Sequence, residues 1–193
     1  MKVSLKQIHG QWDEGWVLDK HMLRSTYLGE DAYGHPRFDS IRTEVGEATY
    51  QLKYQNDWTK VGPLAQALAD NIYPKLSEVD FLVPMPATKD RARQPVVEIA
   101  LALGRLVDKP VFTDLLRKTK NGIPLKDLYT KDEKIEAISD SFSINDEIRN
   151  DGCWNVLIID DLFDTGVSME AACKVLKTYQ KVGRIYVAAL TWK

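Results

Sequence analysis

One short segment near the end of the chain combines acidic, hydroxyl and glycine residues in an order suited to binding a charged sugar. The apolar run 156–159 is followed at once by Asp160 and Asp161, and residues 164–168 then read Asp-Thr-Gly-Val-Ser before a helical pattern. Adjacent carboxylates accept hydrogen bonds from vicinal hydroxyl groups. The first turn of a helix offers free N–H groups to a phosphate, and glycine lets the backbone approach that phosphate closely. The segment therefore predicts a ribose phosphate site.

Two other interpretations of this segment explain less of it. Paired acids also end the first strand of receiver domains, but those domains need several further βα units, and only 32 of the 193 residues follow Asp161. The polar turn could simply cap a helix, yet capping needs one such residue rather than two acids and a following Asp-Thr-Gly-x-Ser. The phosphate interpretation uses every residue of the pattern.

The hydrophobic pattern predicts the elements that must position this segment. Apolar residues with helical spacing predict helices, and compact apolar runs predict strands. The predicted helices are 45–52, 61–72, 96–107 and 169–176, and the predicted strands are 79–83, 111–112, 141–144, 155–159 and 185–190. This alternation is typical of an α/β fold with a twisted, mainly parallel sheet and helices on both faces. Ligands of such sheets bind outside the carboxyl ends of the strands.

The first 44 residues have a different pattern and predict a small β-rich appendage. Asp13-Glu14-Gly15 stands between apolar residues, which indicates a hairpin turn. Trp12 and Trp16 make this appendage a candidate hood over the site. We therefore divide the chain into an appendage, 1–44, and an α/β domain, 45–193.

Composition excludes several classes of protein. Lys and Arg total 26 against 28 for Asp and Glu, so no overall basic field exists to hold a nucleic acid. The two cysteines, Cys153 and Cys173, do not have the spacing of a disulfide framework or a zinc site. No apolar run is long enough to span a membrane, and the N-terminus lacks a signal-peptide pattern, so a cytoplasmic protein is expected.

The acidic segment resembles the PRPP motif of the type I phosphoribosyltransferases, which use phosphoribosyl pyrophosphate (PRPP). That motif places an apolar strand before two acids, two variable residues, and then Thr or Asp followed by Thr-Gly-x-Ser or Thr. The resemblance covers about 13 residues. The layout of 45–192 further resembles the ComF-like branch, which is linked to DNA uptake. The supporting pieces are Val83-Pro84-Met85-Pro86, Leu115-Leu116-Arg117 and Ser141-Phe142-Ser143-Ile144.

Two features depart from the ComF-like pattern. No cysteine precedes Cys153, so the N-terminal zinc ribbon of that branch is missing. Its Arg-Gly-Phe-Asn segment is replaced here by Arg91-Ala92-Arg93-Gln94-Pro95.

The resemblance implies a role for each matching residue. Asp160 and Asp161 would bind the ribose hydroxyls, directly or through Mg²⁺, which is the implied cofactor. The loop formed by Asp164, Thr165, Gly166, Val167 and Ser168 would hold the 5′-phosphate. The implied catalytic residues are Asp164, near the base, and Lys89 and Arg91, at the position of the pyrophosphate loop. The basic run 117–134 would be the flexible lid.

Two functions remain compatible with these residues. The first is a Mg²⁺-assisted phosphoribosyltransferase, a glycosyltransferase of nucleotide metabolism whose acceptor the sequence does not identify. The second is a non-catalytic module that binds PRPP or a nucleotide and acts with a partner protein in DNA uptake or DNA metabolism. A homodimer is open under either function.

Overall fold

The chain forms three separate β-sheets and a set of helices in the computed structural model, which describes residues 1–87, 91–118, 130, 132, 135 and 138–193. The strands are β1 (Lys6–Gln7), β2 (Glu14–Lys20), β3 (Met22–Glu30), β4 (Pro36–Arg42), β5 (Phe81–Pro84), β6 (Leu116–Lys118), β7 (Phe142–Ile144), β8 (Trp154–Phe163) and β9 (Val182–Trp192). The α-helices are α1 (Glu44–Tyr54), α2 (Val61–Asn71), α3 (Pro95–Val107) and α4 (Val167–Leu176). Short 3-10 turns at Trp58–Lys60 and Tyr73–Lys75 flank α2.

The main sheet has the strand order β1-β2-β9-β8-β5. Strands β2, β9, β8 and β5 run parallel to one another, and the two-residue β1 is antiparallel to β2. Val111 adds a parallel bridge to Leu82 beside β5. The predicted α/β fold with a mainly parallel sheet is therefore confirmed.

Both faces of the main sheet are covered, as the continuous apolar character of β8 requires. Val156 and Ile158 face a cluster that contains residues of α4, β6 and β7. Leu157 and Ile159 face the opposite cluster, which is built from α1, α2 and α3. All four side chains are almost completely buried. The prediction of helices on both faces is confirmed, and each face of β8 has its own apolar layer.

A hydroxyl group fixes α1 to the end of the main sheet. The Thr43 Oγ1 atom accepts a hydrogen bond from the Gly46 N–H at 2.9 Å, which caps the helix, and donates to the Lys20 carbonyl at 2.7 Å. Gly46 lies so close to His21 that a Cβ atom would stand 2.1 Å from the His21 carbonyl oxygen. This packing aligns α1 across the sheet and directs its last turn toward the carboxyl end of β8.

The predicted hairpin turn at Asp13-Glu14-Gly15 is wrong. The Asp13 N–H donates to the Ile185 carbonyl, and the Asp13 carboxylate accepts from the Ile185 N–H, both at 2.8 Å. These two bonds attach Asp13 to β9, and Glu14–Lys20 continues beside β9 as a strand of the main sheet. Tertiary pairing with β9 replaces the local turn.

Residues 1–44 contribute to two different sheets. Strands β1 and β2 belong to the main sheet, whereas β3 and β4 pair only with each other and form a long hairpin. The predicted strand 141–144 is also found, as β7, but it pairs antiparallel with β6 outside the main sheet. No helix of the described residues is long and apolar enough to cross a membrane.

Candidate functional site

The site begins where β8 extends beyond its neighbour β5. Pairing between β5 and β8 ends at Pro84 opposite Ile159, and the final hydrogen bond from that side joins the Met85 N–H to the Ile159 carbonyl at 2.8 Å. Pairing between β8 and β9 continues as far as Phe163 opposite Trp192. Asp160 and Asp161 thus lie within β8 itself, at the carboxyl end of the sheet, where one side of the strand opens to a crevice.

A cavity of about 350 Å³ occupies this crevice. Its size is at the lower end of the range of small-molecule sites. The walls come from the last turn of α1, the segment after β5, the start of α3, β6, β8 and the first turn of α4. The polar side chains that line it are Lys53, Arg91, Gln94, Lys118, Asp160, Asp161 and Ser168.

Asp161 forms an ion pair with a lysine that belongs to α1. The Lys53 Nζ atom lies 2.8 Å from the Asp161 Oδ2 atom, and the two side chains are only 23% and 14% exposed. Strand alternation directs the Asp161 side chain to the same face as Ile159, the face that α1 covers. The carboxylate is therefore held by a cation before any ligand arrives.

Asp160 is directed to the opposite face and lies in a less polar environment. Its Oδ1 atom accepts a hydrogen bond from the Asp161 N–H at 2.8 Å. Burial, with a smaller contribution from the neighbouring charge of Asp161, raises the pKa of Asp160 to about 7, although the charge of Lys53 acts in the other direction. A carboxyl group with this pKa can both accept and donate a proton near neutral pH.

A second lysine faces Asp160 from β6. Lys118 lines the same cavity and its ammonium group lies 5.2 Å from the centre of the Phe142 ring. Burial lowers the pKa of Lys118, and the nearby Asp160 charge partly opposes that shift. Each acid of the pair thus has a lysine charge nearby: Lys53 is paired with Asp161, and Lys118 interacts with the charge of Asp160.

The segment after β5 is tied to α1 through an arginine. The Arg91 Nη1 atom donates to the Lys53 carbonyl at 2.8 Å, and Arg91 lines the cavity. Arg93 is used differently, since it pairs with Glu98 at 2.9 Å. Lys89, the other predicted partner of pyrophosphate, lies outside the described residues, as does most of the predicted lid. Of that lid, only the first residues, Arg117 and Lys118, fall in a described strand.

The loop 164–168 makes the turn from β8 into α4. Gly166 has φ +80°, a left-handed conformation that favours glycine, and it is the N-cap of α4 without any side-chain cap. A Cβ atom there would lie 3.0 Å from the Phe163 ring. The first N–H groups of α4 therefore depend on other partners, as at helix ends that bind anions.

The other loop residues have different positions. Ser168 lines the cavity, and Val167 packs against the apolar cluster beneath it. Thr165 is exposed, and the exposed carboxylate of Asp164 lies 3.9 Å from the Lys193 Nζ atom. The structure thus brings Asp160, Asp161 and Ser168 into one cavity and leaves Asp164 at its exterior.

The carboxylate oxygens of Asp160 and Asp161 are the atoms in the cavity that could bind a magnesium ion. Carboxylate oxygens are ligands that Mg²⁺ prefers, and this ion commonly uses one or two carboxylates together with substrate phosphates and water. No group of three or more metal-ligating side chains occurs in the part of the chain that the structure describes. Asp160 and Asp161 therefore suit an ion that receives most of its ligands from a phosphorylated substrate.

Sequence reasoning missed Lys53 as a site residue and did not distinguish Lys118 within the basic run. A signal for Lys53 existed, because Thr49 is buried on α1 and a residue four positions later lies on the same face. For Lys118 there was none, because its position opposite Asp160 depends on the pairing of β6 with β7.

Comparison with known proteins places this geometry in a structural context. No protein-family model matches the sequence, and no curated protein matches it. The adenine phosphoribosyltransferase of Leishmania tarentolae superposes with a TM-score of 0.50 and 9% identity, over 98% of this chain and 95% of that one. The Trypanosoma brucei enzyme, solved with AMP, pyrophosphate and ribose-5-phosphate, has a TM-score of 0.48 and 13% identity over 100% and 76% of the two chains.

A third similar structure is the adenine phosphoribosyltransferase of Thermoanaerobacter pseudethanolicus. Its TM-score is 0.47 at 16% identity, with 89% of this chain and 96% of that chain covered. Sequence identities this low support a shared fold but do not establish a shared activity. The superposition on the Leishmania tarentolae enzyme, with its TM-score of 0.50, shows that the chain has a phosphoribosyltransferase-like α/β fold.

Proposed function

We propose that the chain binds PRPP in the crevice at the end of β8 and transfers its 5-phosphoribosyl group to an acceptor. One observation carries this proposal: on a phosphoribosyltransferase-like fold, Asp160 and Asp161 line one cavity together with Ser168, which belongs to the first turn of the helix that begins at the Gly166 turn. The acids suit the ribose hydroxyls, and the turn suits the 5′-phosphate.

The roles of the remaining residues follow from the resemblance of the sequence to the PRPP motif. The loop Asp164–Ser168 holds the 5′-phosphate through its N–H and hydroxyl groups, and Asp164 assists proton transfer at the base. Arg91, with Lys89, stabilises the pyrophosphate. Neutral pH is close to the pKa of Asp160, and in its ionised form the Asp160 carboxylate accepts a hydrogen bond from a ribose hydroxyl.

The reaction is a substitution at C1′ of the ribose. The bond from C1′ to the pyrophosphate oxygen breaks, and pyrophosphate leaves with that electron pair. A lone pair of the acceptor forms the new bond to C1′, and the acceptor gives up its proton with the assistance of Asp164. Cationic side chains aimed at the leaving oxygens stabilise the charge that develops there, and one such donor is worth about 3 kcal/mol. Mg²⁺ held by Asp160 and Asp161 would neutralise further phosphate charge when bound.

The test is pyrophosphate release from PRPP and Mg²⁺, measured with a panel of nucleobases and other amines. We expect release that depends on one class of acceptor, and the double variant Asp160→Asn with Asp161→Asn should lose PRPP binding in calorimetry. Asp151→Asn, an exposed change outside the cavity, is the matched control. Unchanged PRPP affinity in the double variant would contradict the assignment of the acid pair.

The Lys53–Asp161 ion pair favours a second candidate, a non-catalytic module that binds PRPP or a nucleotide and acts with a partner protein in DNA uptake or DNA metabolism. A ligand hydroxyl or a metal must compete with the Lys53 ammonium for Asp161, which suits reversible binding better than tight metal-assisted catalysis. Calorimetric binding of PRPP without pyrophosphate release for any acceptor would support this candidate and exclude the enzyme.

A further inference from the structure

The hairpin formed by β3 and β4 stands apart from the rest of the fold. Its strands pair with each other and with no other described strand. An isolated two-stranded hairpin is at best marginally stable in water, because it has no apolar layer to pack against. A hairpin with seven and nine residues in its strands therefore requires a partner surface.

Large apolar side chains are concentrated on this hairpin. Tyr33 is 86% exposed, and five further apolar side chains between Met22 and Arg42 are each 44% to 60% exposed. Those five are Leu23, Tyr27, Leu28, Phe38 and Ile41. Elsewhere in the described residues, only Met1, Tyr54 and Leu106 are large, apolar and exposed. An apolar patch of this kind marks an interaction surface.

The apolar side chains lie on both faces of the hairpin. Tyr27 and Phe38 are paired across the strands with ring centres 5.6 Å apart, on the same face as the Ser25–Ser40 pair. Ile41 is opposite Arg24, one position away from the serine pair, and so lies on the other face. Contact on a single face would leave part of the patch in water, so the hairpin suits a surface that covers it from both sides.

The tip of the hairpin is already ordered. The Asp31 Oδ1 atom accepts hydrogen bonds from the Tyr33 N–H at 2.8 Å and from the His35 N–H at 2.9 Å. These bonds lower the pKa of Asp31. A fixed tip that projects a tyrosine loses little conformational entropy when it binds, and tyrosine is enriched among the residues that dominate interface energies.

The base of the hairpin is fixed as well. Arg42, at the end of β4, stacks on the Tyr50 ring at 3.8 Å from its centre and lies 3.3 Å from the Glu47 carboxylate. Both partners belong to α1. The hairpin therefore leaves the domain as an arm in a defined direction.

We propose that this arm is a dimerisation element and that its partner is a second copy of the same chain. The exposed apolar side chains of the arm provide roughly 500–600 Å² of accessible surface. This estimate multiplies the exposed fraction of each side chain by its full area, which is about 150–250 Å² for an aromatic side chain and less for an aliphatic one. With the polar side chains between them, this approaches the ~800 Å² that each partner contributes to a standard interface. The arm therefore supplies nearly all the area that a stable dimer needs.

Charge supports the choice of a second copy. Residues 22–42 contain three arginines, Arg24, Arg37 and Arg42, and three acids, Glu30, Asp31 and Asp39. This balance leaves the arm without net charge from these residues, so two identical arms can face each other across a two-fold axis without net electrostatic repulsion. It gives no basic excess for a nucleic acid.

The test is the mass of the full chain in solution, measured by sedimentation equilibrium at concentrations above and below about 1 μM. Interfaces of the expected size have micromolar or tighter affinity, so we expect a dimer with a dissociation constant of about 1 μM or below. The triple variant Tyr27→Ser, Tyr33→Ser and Phe38→Ser should weaken dimerisation at least about 100-fold. Leu106→Ser, which removes an exposed leucine from α3, should leave it unchanged.

Hydrogen exchange on the unaltered chain provides a measurement that needs no variant. Amides of β3 and β4 should become more protected as the concentration passes through the dissociation constant, because dimerisation covers the arm. A chain that is monomeric well above 1 μM, or a folded triple variant that still dimerises like the unaltered chain, would overturn the proposal. Protection of the arm that is independent of concentration would also overturn it.

Discussion

Replacement of Asp160 by asparagine should stabilise the folded chain, and the gain should grow with pH. In the unfolded chain this carboxyl group has an ordinary pKa of 3.8, whereas burial raises its pKa in the folded state to about 7. The folded state therefore holds this proton more tightly. Stability contributed by the protonated group is present in full below about pH 4 and is lost as the pH rises toward about 7. The uncharged asparagine side chain would carry no such penalty.

The size of the effect follows from the shift. Each pKa unit corresponds to about 1.4 kcal/mol. At pH values above neutral, the gain in unfolding free energy from Asp160→Asn therefore has an upper limit of about 4 kcal/mol. Two features reduce it: Asp160 is not completely screened from solvent, and its charge also attracts Lys118. We expect a net gain of about 2 kcal/mol at about pH 8.5 and close to none at about pH 4.5.

Urea denaturation of both chains at these two pH values, followed by tryptophan fluorescence, measures the difference in unfolding free energy. Asp164→Asn is the matched control, since it changes the same functional group where the side chain is 59% exposed. The control should give equal differences at both pH values. An Asp160→Asn chain whose stability relative to the parent did not change with pH would refute the view that Asp160 is destabilised by burial.

Three further predictions concern the site and the fold around it. Lys53→Met should cost about 1–3 kcal/mol in unfolding free energy, because it leaves the half-buried Asp161 carboxylate without its ion-pair partner. The same change should raise the pKa of Asp160, because the charge of Lys53 lowers it. Carbon-13 NMR of the Asp160 carboxyl group would measure that shift. Gly166→Ala should cost about 1–2 kcal/mol in unfolding free energy, because an alanine at φ +80° is strained and its Cβ atom would contact the Phe163 ring. The control is Gly62→Ala on α2, where a Cβ atom would lie in open space. It should be neutral or stabilising in the same denaturation assay. Gly104→Ala should cost about 1–3 kcal/mol in unfolding free energy, because the alanine Cβ atom would lie 2.4 Å from the Val111 Cγ2 atom. A thermal midpoint equal to that of the parent would contradict the close packing of Gly104 against Val111.

Much of the fold could be predicted from periodicity alone. The predicted helix 45–52 is α1 (Glu44–Tyr54), and the predicted strand 185–190 lies within β9 (Val182–Trp192). These elements bury their apolar side chains, so the spacing of apolar residues directly reflects the layer that each element faces. The acid pair and the glycine turn were found for a similar reason, since the motif is contiguous in sequence.

The errors arose where long-range pairing determines the local structure. Asp13-Glu14-Gly15 has the composition of a turn, but hydrogen bonds from Asp13 to Ile185 make it the start of a strand. Asp160 and Asp161 were expected after a strand and lie within one, because β9 continues beside β8 as far as Trp192. A local pattern contains no information about a partner more than 20 residues away.

The sequence by itself determined the layered α/β architecture and the order of acids, glycine and hydroxyls at the end of β8, because both depend on residues that are near one another in the chain. The tertiary structure alone decided which charges meet those acids. Lys53 and Lys118 come from elements separated by more than 60 residues, and strand alternation directs one acid to each of them. The electrostatic character of the crevice is therefore a property of packing, since charges interact according to distance in space and not along the chain.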